Sequence, residues 1–262
     1  MNDSPVILEM CNMPVVALRD TSQVVLQNVN WSVRQGEFWV VAGPQHSGKS
    51  DLLLHAAGLI TPAEGVCRVF GCDTRTWNES QLRERLRVGL TFAEGKLFYH
   101  LTIAENVALP LKYHRGLEAG EVARQVAALL EWLELTPWAG LTPVNVPSAW
   151  RQRAALARAL ALQPELLLLD NPNGGLTLRH RRWLVNFLDQ LWRGHEFFGG
   201  RPLTIVAATD DLHIWEHPER RFAAVQQGTF SVLGAWDGED FRRNHAVQEL
   251  LSGVAEAGPA KT

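Results

Sequence analysis

The chain has 262 residues, 46% hydrophobic and 20% charged, and its 25 Lys and Arg against 28 Asp and Glu leave a formal net charge of -3. That balance is ordinary for a globular protein and argues against a coat-like nucleic-acid binder, which needs a basic excess. No run approaches the roughly 20 apolar residues of a membrane-spanning helix, and the start MNDSPVILEM lacks the basic and apolar regions of a secretory signal, which predicts a cytoplasmic location. Cys11, Cys67 and Cys72 are odd in number and form no CxxC, so neither a disulfide framework nor a zinc knuckle is expected.

In chain order, two alternating stretches, Val15 to Leu18 and Val24 to Val33, predict antiparallel strands, with a third at Val66 to Phe70. Between them FWVVAG reads as a buried strand feeding a glycine-containing loop, then a helix over SDLLLHAA that stops at Gly58. Residues 118 to 135 place Val122, Val126, Leu129, Leu130 and Leu133 on one helical face, with Pro137 beyond it. A further helix is predicted from Arg151 to Leu162, followed by the apolar run Leu166 to Leu169, which ends in Asp170 and fits a buried parallel strand. Arg179 to Arg193 predicts an amphipathic helix through Leu184, Phe187, Leu188 and Leu191, and Leu203 to Ala208 another buried strand. Alternating strands and helices imply a wound parallel sheet.

Gly43-Pro44-Gln45-His46-Ser47-Gly48-Lys49-Ser50 satisfies GxxxxGK[ST] between a predicted strand and a predicted helix, the context this phosphate-binding motif requires. Backbone N–H groups of such a loop converge on phosphate oxygens, Lys49 reaches the outer phosphates, and the Ser50 hydroxyl is a Mg²⁺ ligand. Asp170, at a strand end, supplies a carboxylate that can hold the Mg²⁺ through water.

After the phosphate loop come Leu97 to Val107 and then Arg151 to Leu160 running into the Asp170 strand. In this order and spacing the sequence resembles the nucleotide-binding subunits of ABC transporters over nearly its whole length. The resemblance implies an α/β fold: a P-loop NTPase-type parallel sheet core, an antiparallel β side sheet and an inserted α-helical subdomain. It further implies one ATP-binding domain over 1–262, with core 1–92 and 152–235, helical subdomain 93–151 and C-terminal extension 236–262. It implies ATP and Mg²⁺ as ligands, a transmembrane transporter subunit as partner, homodimer or heterodimer formation with another ATP-binding subunit, and a location peripheral to the cytoplasmic membrane. Asn106 to Leu111 and His245 to Leu251 look most like the ATPases of Mce-type lipid transport systems, which implies a lipid or hydrophobic cargo.

Against that family the catalytic parts are altered. The glutamate that follows the strand-end aspartate is Asn171, whose amide can orient water and cannot accept its proton. The switch histidine falls on Asp210, and a carboxylate about 4 Å from a phosphate charge is repelled by roughly 4 kcal/mol at an effective dielectric near 20. The Q-loop glutamine becomes Ala93, and the D-loop aspartate becomes Thr177. The family's LSGGQ becomes Val146-Pro147-Ser148-Ala149-Trp150, without the glycines that let a backbone approach a phosphate held by the partner. Leu18 aligns with the aromatic residue that stacks on adenine, and losing such a stack costs roughly 1 to 3 kcal/mol. His46 stands at a loop glycine. The resemblance and its departures together predict a transporter subunit that binds nucleotide weakly and is impaired in hydrolysis. The alternative is a working ATPase in which Asn171 orients water and Asp211 or Glu94 serves as base.

Other features carry less. His213 and His217 have an i, i+4 spacing without the HExxH pattern and read as a solvated helix surface. The run Arg179 to Arg182 reads as the polar side of its helix, not a nucleic-acid patch. Phe98, Tyr99 and Trp138 flank the helical insertion, where they serve either core packing or contact with the membrane subunit.

Overall fold

The computed structural model describes residues 4–77, 85–114, 116–236 and 238–252. The chain forms two units, Met1–Asn78 with Ile205–Thr262, and Glu79–Thr204.

In the first unit β1 (Val6–Ala17) pairs antiparallel with β2 (Asp20–Arg34), setting Leu8 opposite Val33 and Met10 opposite Trp31. The other edge of β1 carries β4 (Val66–Val69), with β5 (Cys72–Asp73) beyond it. Both long strands exceed the stretches expected from sequence. Register shifts between Met10 and Met13 and between Met13 and Val15 break the in-out phase, so the alternation looks shorter than the pairing. Beside this side sheet β3 (Phe38–Ala42) is buried at every residue and lies parallel to both β8 (Thr204–Thr209) and β9 (Arg221–Gln226), Val40 facing Ala207 and Phe222. A strand covered on both faces must be apolar throughout, which is why FWVVA shows no alternation. β10 (Thr229–Ala235) returns antiparallel along β9 and touches β2 at Gln27. The helix α1 (Lys49–Ala56) follows β3.

In the second unit β6 (Val88–Thr91) and β7 (Leu166–Asp170) are parallel, with Gly89 opposite Leu167. Among the described residues, α2 (Ile103–His114), α3 (Ala119–Trp132), α4 (Ser148–Leu160) and α5 (Leu178–Arg193) accompany them. The buried faces of α3 and α5 are those the periodicity predicts, Val122, Val126, Leu129 and Leu130 on one and Leu184, Phe187, Leu188 and Leu191 on the other. At the C-terminal end of the chain α6 (Glu239–Arg243) and α7 (His245–Ser252) belong to the first unit, where Phe241 packs on Phe222 and Trp236 at ring distances of 4.9 and 4.7 Å.

His213 and His217 are not on a helix. The segment is a pair of turns in which Leu212 and Trp215 are buried, and Pro218 disfavours helical backbone at the residue before it. Among the described residues no helix is long and apolar enough to cross a membrane, and no group of three or more His, Cys, Asp or Glu is placed to hold a metal.

Asn106 organises the approach to α2. Its side chain is fully buried; Oδ1 accepts from Phe98 N at 2.8 Å, and Nδ2 donates toward the carbonyls of Phe98, Leu101 and Thr102 at 3.1, 3.2 and 2.9 Å. Leucine of similar size cannot replace those bonds. Asn106→Leu should therefore lower stability by about 2 to 4 kcal/mol in denaturant unfolding, since buried backbone groups lose their partners; a loss below 0.5 kcal/mol would show the loop is held by other means.

Candidate nucleotide-binding site

The phosphate loop joins β3 to α1. Gly43 begins it because nothing larger fits: a Cβ there would lie 2.4 Å from the Val225 carbonyl oxygen. Gly43 N donates to Thr209 O at 3.1 Å, tying the loop to the end of β8. Gly48, at the N-terminus of α1, has φ of 99°, a left-handed conformation open to glycine. Lys49 is buried and turns back over the loop, its Nζ donating to Gly43 O at 2.8 Å and Pro44 O at 2.6 Å, with Ser47 Oγ at 3.3 Å. The loop is thus already curled around its own ammonium at the N-terminus of α1, and this fits a phosphate group. His46 adopts a left-handed φ of 61°, and its side chain is exposed. Ser50 is exposed in the first turn of α1.

Asp210 reaches the same loop. Its Oδ2 accepts from Gln45 Nε2 at 3.0 Å. Next to it a tight turn fixes the backbone: Asp211 N donates to Thr209 Oγ1, whose hydroxyl donates to Asp211 O, each at 3.0 Å. The sequence placed Asp210 by position within a family pattern; its bond to Gln45 had no local signal, because the partners are 165 residues apart. Leu18, at the position of the stacking aromatic, is 57% exposed, and its backbone N–H is held by Asp51 Oδ1 at 2.9 Å.

The other expected site residues lie in the second unit. Asp170 ends β7 half-buried. Asn171 follows with φ of 44°, and its carbonyl accepts from Gly174 N at 3.1 Å. Its Oδ1 is buried without a hydrogen-bond partner. Ala93 lies in the turn closed by Gly95 N donating to Phe92 O at 3.1 Å. Thr177 caps α5 in extended backbone without a side-chain bond.

The segment at the signature position is helical. Val146 is buried, Pro147 is the N-cap of α4, and Ser148, Ala149 and Trp150 form its first turn. Trp150 lies over the Arg153 guanidinium at 4.3 Å, and Trp183 faces the same guanidinium at 3.5 Å. Glu134 fastens the stack, accepting from Arg153 Nη1 at 2.7 Å and from Trp183 Nε1 at 3.0 Å. His180 joins through its Nδ1, 3.4 Å from Arg153 Nη2, with burial and then the Arg153 charge holding it below its ordinary pKa. This clamp escaped sequence reading, although the i, i+3 spacing of Trp150 and Arg153 was available as a signal. A cavity of about 30 Å³ beside it is bordered by Gln152 and Asn171, whose Oε1 and Oδ1 lack partners.

A family model described as ABC transporter matches residues 26–174, more than half of the chain. The chain belongs to that family. It is 40% identical over 215 residues to a sulfate/thiosulfate import ATP-binding protein CysA of Xanthomonas campestris, covering 81% of this chain and 60% of that one. A spermidine/putrescine import ATP-binding protein PotA of Thermobifida fusca is 34% identical over 209 residues, 80% of this chain and 52% of the relative. The chain thus spans roughly three fifths of the length of the CysA relatives it matches. Among solved structures, a dimeric ATP-binding cassette, MJ0796, bound to ADP and phosphate aligns with a TM-score of 0.73 at 27% identity, over 85% of this chain and 96% of that one. CbiO1 of Clostridium perfringens aligns at 0.72 and 20% identity, over 88% of each chain, a likeness of fold. The α/β fold anticipated from the sequence is the one found.

The helix carrying the loop contains a buried histidine. His55 is wholly enclosed; Nδ1 donates to Asp51 O at 2.9 Å, leaving Nε2 as an acceptor without a partner. Burial holds its pKa below the ordinary 6.5. The unfolded chain therefore takes up a proton near pH 6.5 that the folded chain resists, so His55 contributes stability that is present above that pH and lost as pH falls. Unfolding measured from pH 7.5 to 5.5 should show the wild type losing up to about 1.4 kcal/mol per pH unit relative to His55→Gln; parallel profiles would refute this role.

Proposed function

We propose that this chain is a catalytically degenerate ATP-binding subunit of a membrane transporter, binding Mg-nucleotide weakly and acting as a structural or regulatory half of a dimer. The observation that carries the reading is an intact phosphate loop around Lys49 paired with an amide, Asn171, where the water-polarising carboxylate of the family belongs. Lys49 and the amides at the start of α1 would hold the phosphates, and Ser50 with Asp170 would hold Mg²⁺. Bound Mg²⁺ neutralises phosphate charge. Asn171 can hold a water by its Oδ1 but takes no proton from it.

The altered signature supports the same reading. Its first turn offers Pro147, which has no N–H, and Trp150, which turns inward to Arg153. A backbone of this kind cannot come close to a phosphate as two glycines can. A groove of about 480 Å³ bordered by Arg85, Leu109, Pro110, Tyr113, His114 and Arg158 supports contact with a transmembrane subunit on the second unit, as do the exposed rings of Phe98 and Tyr99. Such a subunit would hold the chain at the cytoplasmic face of the membrane.

A lipid or hydrophobic cargo rests on Asn106 to Leu111 and His245 to Leu251. A second cargo reading, a small polar solute, is favoured by the printed names of relatives such as CysA and PotA. For turnover the rival is an active ATPase with Asp211 or Glu94 as base; the Oδ1 of Asp211 is engaged by His213 N at 3.1 Å, and Glu94 is exposed.

Steady-state phosphate release by the purified chain should equal that of Lys49→Ala, and Asn171→Glu alone should not raise it, because groups that act as a unit are not restored singly. Lys49-dependent turnover well above background would establish the rival. Mg-ATP should also leave the purified chain monomeric in light scattering, and a stable ATP-induced homodimer would overturn the view that residues 146–150 fail to complete a site.

A further inference from the structure

We infer that Asp210 makes this phosphate loop select by phosphate number, favouring a nucleoside diphosphate over the triphosphate. The inference rests on the nucleotide-binding reading above and adds a specificity determinant to that site.

The loop has a direction. The amides at the start of α1 grip the inner phosphates, and the lysine ammonium reaches the outer ones. Here the Lys49 ammonium lies on the carbonyls of Gly43 and Pro44, at 2.8 and 2.6 Å, so the outer end of the loop is the segment Gly43 to Gln45. Gln45 is the residue that holds the Asp210 carboxylate, at 3.0 Å. The carboxylate is thus fixed at the end where a third phosphate would add its charge. It cannot drift readily: Gly43 N is bonded to Thr209 O, and the Thr209 hydroxyl and Asp211 backbone close the turn on either side of Asp210. Like charges about 4 Å apart at an effective dielectric near 20 shift an equilibrium on the order of a thousandfold, and solvent at this half-exposed position reduces that to about tenfold to a hundredfold.

The diphosphate escapes this penalty because it ends one group short of that charge.

The test is equilibrium binding of Mg-ADP and of the Mg complex of the β,γ-imido analogue of ATP to the full chain, by calorimetry. The wild type should bind the diphosphate at least tenfold more tightly. Asp210→Asn should bring the two within about threefold by tightening the triphosphate analogue, with the diphosphate constant moving less than twofold. Equal affinities in the wild type, or a preference unchanged by Asp210→Asn, would overturn the inference while Lys49→Ala still abolishes binding, leaving the nucleotide-binding reading intact. Absence of binding by either ligand, or binding indifferent to Lys49→Ala, would overturn both.

Discussion

The ammonium of Lys49, drawn onto the carbonyls of Gly43 and Pro44, is the contact on which the candidate site depends. A buried cation with two carbonyl acceptors holds the loop curled. The rest of the first unit serves that geometry. β3, buried on both faces, fixes the loop's start, and β9 approaches so closely at Val225 that only glycine fits at position 43. Behind the loop, α1 is packed through Leu52, Leu53 and the enclosed His55, so the amides at its N-terminus are presented by a rigid element.

The second unit has spent the same positions differently. Where the family presents a glycine-rich segment, this chain starts a helix at Ser148 and folds Trp150 onto Arg153. A guanidinium between two indoles, tied to Glu134 and faced by the His180 imidazole, is a packing device in which burial disfavours the bare charge while the rings and the Glu134 carboxylate offset that cost. Asn171 has a left-handed backbone and a carbonyl bonded to Gly174, while its side chain lacks an ionisable oxygen. Architecture and side-chain chemistry have come apart here: the altered residues build a regular turn and helix from side chains that differ from the family pattern.

What was legible in the sequence followed from local rules. The phosphate loop, α1, α3, α5, β7 and β8 are each set by a motif or a clean period, and all are present. The long side-sheet strands were read short because bulges in β1 interrupt the alternation. α2 carries Pro110, which masks a start signal that the sequence does hold: Thr102 and Glu105 form a capping box, Thr102 N donating to Glu105 Oε2 at 2.8 Å and Glu105 N to Thr102 Oγ1 at 3.2 Å, and burial of Ile103, Val107 and Leu111 secures the helix. The helix supposed for His213 and His217 fails because Leu212 and Trp215 are buried from a pair of turns. At the site, residue identities were readable but partnerships were not: Gln45 with Asp210, and Glu134 with Arg153 and Trp183, join positions far apart in the chain, and only the fold brings them together.

The central claim is that the loop grips phosphate while the groups needed to cleave it are missing. It is tested most directly in a single-turnover format, by mixing radiolabelled Mg-ATP with an excess of the chain, separating protein-bound from free nucleotide over several hours and identifying each by chromatography. The account predicts bound label recovered as intact ATP, and its loss from the protein in Lys49→Ala. Bound label converted to ADP within minutes, in a Lys49-dependent way, would contradict it.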